Sequence, residues 1–484
     1  MSHPLNPISV LIPRPLSLHP GEGQFTFSPL TQIYYADESI AAEAAYLAEW
    51  LGCSLPPQPA SGEILLGAIL LTLTESPVLG SEGYELSITP DQIRLRAHQP
   101  AGIFWAIQTL RQLATAEPGT IHWPACQIQD LPRYPWRGMM LDVARHFFPV
   151  ATVKSVIDRL ALYKLNRLHL HLTDDQGWRL MIHSWPRLAE IGGLAAVGGD
   201  PGGYYTQADY AEIVAYAQAR HIMIIPEVDL PGHTNAALSA YAELNRDGQA
   251  AAPYTGTRVG FSSLCTDREH TYRFLTDVLG EIAAITPGPY LHIGGDEAAA
   301  TPRPDYLRFI PRLQHIVTSL DKQMIGWEEI SRATLKPGAV AQAWRSSLVT
   351  RSARQGAHVI LSPARKIYLD MKYNPLSPLG LAWAGFVEVR QSYNWNPAYA
   401  VRNLPEDTIL GVEAPLWTET VRSLADLDWL VFPRLIGMAE IGWTPQSLRL
   451  WSDYRARLAA HAPRLVQQSI NFYRSPQVPW VLPS

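Results

Sequence analysis

Two neighbouring carboxylates, Asp296 and Glu297, close the stretch YLHIGGDEA (residues 290–298), after an apolar run and two glycines. Each is expensive to take out of water unless it has a partner or a task. Proton transfer is one such task. A partly buried carboxyl beside a charged neighbour keeps its proton to higher pH, which a general acid working at neutral pH requires. Gly294 and Gly295 would let the backbone bend there and approach a ligand closely. A helix cap or an ion pair with arginine is the bland alternative for the two acids.

Residues with similar potential recur at the ends of short β-rich runs. They are Asp142 and Arg145, Asp174, Asp229 and His233, Asp296 and Glu297, and then Trp327 and Glu328. Later ends add Trp344, Tyr368, Asp370, Trp417 and Glu419, and Trp383 follows in the same region. One such residue would be an ordinary loop start, whereas a full ring suggests a site. Acids, an arginine and tryptophans, with no phosphate cradle and no cationic cluster, suit a neutral polyhydroxylated ligand. Carboxylates accept hydrogen bonds from hydroxyls, arginine donates to their oxygens, and indole faces cover the apolar face of a sugar ring.

Adjacent acids limit how a glycosidic bond could be cut. A two-carboxylate retaining enzyme sets its acids ~5–5.5 Å apart across the bond, and an inverting one ~6.5–9.5 Å. Sequence neighbours diverge from one short piece of backbone and are poorly disposed to flank a sugar. A different division suits them: Glu297 as acid, and Asp296 orienting a nucleophile that belongs to the substrate. A 2-acetamido sugar carries one in its amide oxygen. An aspartate accepting the amide N–H would fix that group and stabilise the positive charge of the cyclised intermediate.

The elements that must position these residues are legible. RGMMLDVA, RLHLHLTD, HIMIIPEVD, YLHIGGDE, QMIGWEE, AVAQAWR, HVILSP and ILGVEAPLW are mostly apolar in their bodies, and helical or loop segments separate them. Such runs form parallel strands covered on their outer face, and eight of them fit a (β/α)8 TIM barrel. An open doubly wound sheet is disfavoured because no glycine-rich phosphate fingerprint follows the first strand. TQADYAEIVAYAQAR is a helix with a capping box between Thr206 and Asp209. Residues 1–132 form a smaller α/β domain. It has a helix stopping at Gly52, a hairpin in YELSITPDQIRLRAH and a helix opening at Pro100. WPACQIQDLPRYPWRG is proline-rich and lacks periodicity, so the boundary falls near Arg133 and the barrel spans 133–484.

The 484 residues are 47% hydrophobic and 17% charged, the balance of a well-buried globular protein in two units. A net charge of −5 without a basic stripe argues against nucleic acid or an anionic membrane as partner. The N-terminal stretch MSHPLNPISVLIPRPLSLHP lacks a secretory pattern, and the run EILLGAILLTLTE (residues 63–75) is too short to span a membrane. Three widely spaced cysteines read as free thiols, so a cytoplasmic setting is expected. A monomer or simple homodimer is the default assembly.

The chain resembles the β-N-acetylhexosaminidases, family 20 of the glycoside hydrolases. IPRPLSLHPGEGQF and PAGIFWAIQTLRQL look like that family's N-terminal domain. RGMMLDVARHFF, HLHLTDDQGWR, IPEVDLPGHT, HIGGDEA, GWEE, YLD, LAWAG and EAPLWTE follow in family order. The resemblance implies exo-hydrolysis of terminal β-linked N-acetylglucosamine or N-acetylgalactosamine by substrate-assisted catalysis, with no cofactor and no metal. It implies Glu297 as general acid and base, Asp296 on the acetamido nitrogen and Tyr368 on the acetamido oxygen. Trp327, Trp344 and Trp417 would box the sugar, with Trp383 at the mouth. Arg145, Asp370 and Glu419 would grip hydroxyls, and Asp174, Asp229 and His233 would tune the acid.

Two rivals remain. His169 and His171 in LHLHL share a strand face, as a metal-dependent amidohydrolase would want. Strict alternation puts Asp174 on the opposite face, however, and buried structural histidines are the favoured reading. A sugar-binding protein without turnover would keep the tryptophans but would have no need of Glu297.

Overall fold

The computed structural model describes residues 7–61, 66–117 and 120–482. Residues 1–6 of the N-terminal stretch and 63–65 of the apolar run lie outside these. No helix among the described residues is long and apolar enough to cross a membrane.

The N-terminal sheet contains β1 (Ser17–Phe27), β2 (Ile33–Tyr35), β3 (Gln58–Pro59) and β4 (Ala68–Leu73). It continues with β5 (Tyr84–Ile88), β6 (Gln92–Ala97), β7 (Thr115–Glu117) and β8 (Thr120–Asp130). Its order is β1-β8-β5-β6-β4-β2-β3, with β7 beside β8, and β5 and β6 form the expected hairpin. The helix Ala41–Leu51 stops at Gly52, whose φ of +64° lets its N–H reach the carbonyls of Ala48 and Glu49. The helix Pro100–Leu113 is buried along most of its length.

The first half of the stretch expected to lack periodicity belongs to strand β8. Its alternation is masked because inward-facing Asp130 is polar. That carboxylate accepts from Tyr84 Oη (2.8 Å), Lys164 Nζ (3.1 Å) and Trp443 Nε1 (2.9 Å), which offsets its burial.

The eight expected barrel strands all form. They are β9 (Trp136–Asp142), β10 (Arg167–His171), β11 (Met223–Glu227), β12 (Tyr290–His292), β13 (Gln323–Trp327), β14 (Val340–Ala343), β15 (His358–Leu361) and β16 (Ile409–Leu416). All neighbours are parallel, and β16 closes on β9 with Leu416 opposite Leu141. The helix Gln207–Gln218 carries the expected capping box.

The strand bodies are less apolar inside than expected. Trp136, Ile225, Ile325, Val340 and Ile360 pack as a plug. Two residues further along the strands, on the same face, a polar layer follows: His169, Glu227, Gln342 and Glu413. His169 reaches Glu227 and Glu413 at 2.9 Å each, and Gln342 Nε2 donates to Glu413 at 2.8 Å. Gly138 makes room for this layer, since a Cβ there would lie 2.6 Å from Glu413 Oε2. Sidedness of this kind is invisible along any one strand.

The N-terminal unit docks on the barrel's amino-terminal end. Glu82 accepts both guanidinium nitrogens of Arg137 (2.9 and 2.8 Å), and Asn166 and Trp105 donate to it as well. Ion pairs this buried hold only when fully hydrogen-bonded, as this one is. The strands' carboxyl ends stay open at the opposite face.

Candidate active site

At the carboxyl ends of the strands lies a pocket of about 320 Å³. Eleven expected residues line it: Arg145, His233, Asp296, Glu297, Trp327, Trp344, Tyr368, Asp370, Trp383, Trp417 and Glu419. Asp174 and Asp229 lie behind the wall, buried. Thr257, Val259, Arg345 and Leu381 also line it; Arg345 closes the run AVAQAWR and Leu381 opens LAWAG, whereas no quoted motif contains Thr257 or Val259.

The loop after β12 is shaped around Asp229. Gly294 (φ +63°) and Gly295 (φ +96°) adopt conformations open to glycine, and a Cβ on Gly294 would fall 1.8 Å from Asp229 Oδ1. That same oxygen accepts the Gly295 N–H at 3.0 Å, while Tyr306 Oη donates to the Gly295 carbonyl at 2.6 Å. The chain then turns through Glu297 at φ +42° and delivers both acids to the pocket. Backbone strain in a non-glycine residue at a pocket wall is a common mark of a functional position.

Behind the acids runs a chain of charges. His233 Nε2 lies 3.8 Å from Asp296 Oδ2 and 3.9 Å from Glu297 Oε2, close enough for Coulomb interaction but too long for hydrogen bonds. Its Nδ1 meets Asp174 Oδ1 at 3.1 Å, and Asp174 Oδ2 meets His171 Nε2 at 2.8 Å and Arg145 Nη2 at 2.9 Å. Asp174 is therefore on the same side as His171, contrary to strict alternation. β10 ends at His171, and beyond a strand end the period of two no longer applies. The ring nitrogens of His171 are both engaged by carboxylates, since Nδ1 contacts Glu227. Both ring nitrogens of His169 likewise face carboxylates, those of Glu227 and Glu413.

The electrostatics follow from burial and sign. Burial raises the Asp174 carboxyl, but Arg145 and His233 outweigh it and hold it well below the usual range. Burial opposes protonation of His233, yet Asp174 and Asp296 push it up to about 9. Glu297 is raised above its ordinary 4.5, by burial first and by the charge of Asp296 second, against His233, Arg345 and Arg145. Asp229 is raised well above the carboxylate range by burial, Asp296 and Glu227.

The opposite end of the pocket holds unspent hydrogen-bonding groups, carboxylate acceptors and a guanidinium donor. Asp370 is 1% exposed, and neither of its carboxylate oxygens has a hydrogen-bond partner among the described residues. Glu419 Oε2 and Arg145 Nε are likewise buried and unpartnered. Buried polar atoms of this kind are costly unless a ligand completes them. Burial and Glu419 together hold the Asp370 carboxyl well above its usual range. The Asp370 turn is fixed by Arg434, whose guanidinium donates to the carbonyls of Leu369 (2.5 Å) and Met371 (2.7 Å).

Between these ends stands an aromatic wall. Tyr368 stacks parallel to Trp344 at 6.2 Å, and Trp383 meets both edge-on at 5.8 Å. Trp417 lies 5.8 Å from Trp327 and packs under the Arg145 guanidinium at 4.8 Å. Trp327 and Trp344 are anchored through their indole N–H groups to Glu227 (2.9 Å) and Glu329 (3.1 Å). Burial first, then Asp296, push Glu329 up to about 7. Trp383 is 53% exposed at the rim, in the long loop between β15 and β16 rather than at a strand end. The arrangement can seat one small ring with hydroxyls on Asp370 and Glu419 and a reacting centre at Asp296 and Glu297.

The sequence pattern of the glycosyl hydrolase family 20 catalytic domain matches residues 134–305 and 300–446, and that of the family's domain 2 matches 9–131. The chain belongs to glycosyl hydrolase family 20. A β-N-acetylhexosaminidase from Cellulomonas fimi is 41% identical over 485 residues, covering 98% of each chain. The solved family 20 β-N-acetylhexosaminidase of Streptomyces coelicolor A3(2) superposes with a TM-score of 0.95 at 49% identity, covering 99% of this chain and 100% of that one. A mutant Streptomyces plicatus β-hexosaminidase in complex with the product GlcNAc matches with a TM-score of 0.93 at 49% identity, covering 98% of both chains. Membership of family 20 carries the reaction class with it: the chain is a glycoside hydrolase with β-N-acetylhexosaminidase activity.

Proposed function

We propose that the chain removes single β-linked N-acetylglucosamine or N-acetylgalactosamine residues from non-reducing ends, with retention, by substrate-assisted catalysis. The observation that carries this reading is the pairing of Asp296 and Glu297 on one strained loop, with a buried Asp296 oxygen, Oδ1, left without a partner among the described residues. An acetamido N–H is the donor that oxygen lacks. Held there, the amide would turn its oxygen toward the anomeric carbon, with Tyr368 hydrogen-bonding that oxygen and Trp327, Trp344 and Trp417 enclosing the methyl group and ring. Glu297 then protonates the leaving oxygen and afterwards activates water. Arg145, Asp370 and Glu419 bind ring hydroxyls and close the inner end, so a single terminal sugar fits. Asp174, Asp229 and His233 hold the two acids in place and set their charge. Residues 133–484 carry the chemistry, and residues 1–132 serve as scaffold on the face away from it.

The deciding test compares purified protein on an aryl β-N-acetylglucosaminide and the matching aryl β-glucoside. Turnover of the acetamido sugar alone is expected. Comparable rates on both would place the nucleophile on the protein and deny Asp296 its role as partner of the substrate amide.

The raised Glu297 carboxyl also fixes the sign of a pH effect. A general acid works protonated, so kcat/KM should fall as pH rises through the raised value, and its alkaline limb should lie above the ordinary 4.5. Because Asp296 contributes to the upward shift, Asp296→Asn should move that limb to lower pH. A limb unmoved in the variant would separate the two residues.

A further inference from the structure

Beyond Trp344 and Trp383 a second hollow of about 720 Å³ opens, sharing Trp344, Arg345 and Trp383 with the sugar pocket. Three arginines, Arg345, Arg365 and Arg402, are among the residues that line it, with no aspartate or glutamate among the described residues there. The adjoining pocket mixes four acids with Arg145, His233 and the shared Arg345, so the hollow differs from it in having arginines with no acid among them. Arg345 has carboxylates near it, Glu329 at 3.5 Å and Glu297 at 4.0 Å. Arg365 and Arg402 are exposed, and neither forms an ion pair among the described residues.

The hollow lies on the side from which a leaving group departs. A sugar held at its far end by Asp370 and Glu419 presents its glycosidic oxygen to Glu297, and Arg345 is the next charged group beyond that acid. Arg345 and exposed Trp383 line both the sugar pocket and the hollow, so a group attached to the glycosidic oxygen can reach the hollow past them. We infer that the hollow receives an anionic substituent, a sulfate or a carboxylate, on the leaving-group portion of the substrate. Substrates with an acidic sugar next to the terminal N-acetylhexosamine are then the favoured class. This rests on the assignment of Glu297 as the acid. Exposed ion pairs are individually weak, so Arg365 and Arg402 together should contribute roughly three- to tenfold in kcat/KM.

The test uses the full chain and three disaccharides: N-acetylglucosamine β-linked to a neutral hexosamine, to the same hexosamine bearing a sulfate, and to one bearing a carboxyalkyl ether. At low ionic strength one or both acidic compounds should be preferred by that factor, and which one identifies the anion. The preference should shrink in high salt. It should vanish in Arg365→Gln/Arg402→Gln, whose rate on the neutral disaccharide stays at the wild-type level and so reports an intact fold. Equal rates on neutral and acidic compounds, or a preference that survives the double variant, would overturn the inference while leaving the proposed reaction standing. Failure to cleave any of the three would overturn both.

Discussion

Glu297→Gln is expected to lower kcat on a sugar leaving group by roughly 10²–10⁴, the range of a lost general acid. The amide keeps the shape of the side chain and its place near His233 but has no proton to give. The loss should depend on what departs. A dinitrophenolate is stable as an anion and leaves without protonation, so the variant should retain far more of its rate on a dinitrophenyl glycoside. Steady-state kcat on both substrates checks this. Equal losses on the two would deny Glu297 the acid's role and leave it a structural one.

Asp296→Ala should cost on the order of 3 kcal/mol of transition-state stabilisation, about a hundredfold in rate, on every leaving group. Its role is to hold and charge-balance the amide, so leaving-group acidity cannot rescue it. The fold should not suffer. The Asp296 charge pushes up the neighbouring carboxyls of Asp229 and Glu329, and removing it relieves that crowding. The variant's thermal midpoint is therefore expected at or above that of the parent, alongside the lost turnover. Wild-type turnover would take Asp296 out of the mechanism, and a collapsed midpoint would assign it to the fold.

The barrel is legible in the sequence because parallel strands buried on both faces read as apolar runs, and the site because polar groups stand at the ends of such runs. What the chain hides is partnership across the barrel. Glu227 sits in an apolar run and shows no sign that it will hold His169, His171 and Trp327 at once. Arg434 is 63 and 65 residues away from the two carbonyls by which it fixes the Asp370 turn. Arg345 and Glu329 each follow a residue that stands out in the sequence, yet nothing local says that they face inward. The loop at 192–205 has no readable shape because one buried side chain, Arg179, gathers it through the carbonyls of Gly193, Ala195 and Gly203. Where a strand ends matters too: carrying the alternation of β10 three residues beyond His171 puts Asp174 on the wrong face.

The central claim is that the nucleophile belongs to the substrate. Its most direct measurement is kcat/KM for aryl glycosides whose N-acetyl group carries zero, one, two or three fluorines. Each fluorine draws electrons from the amide oxygen and leaves the departing aryl group unchanged. A steep fall with every fluorine added is the predicted result. A flat series would contradict the claim, because a nucleophile on the protein would not feel the substitution.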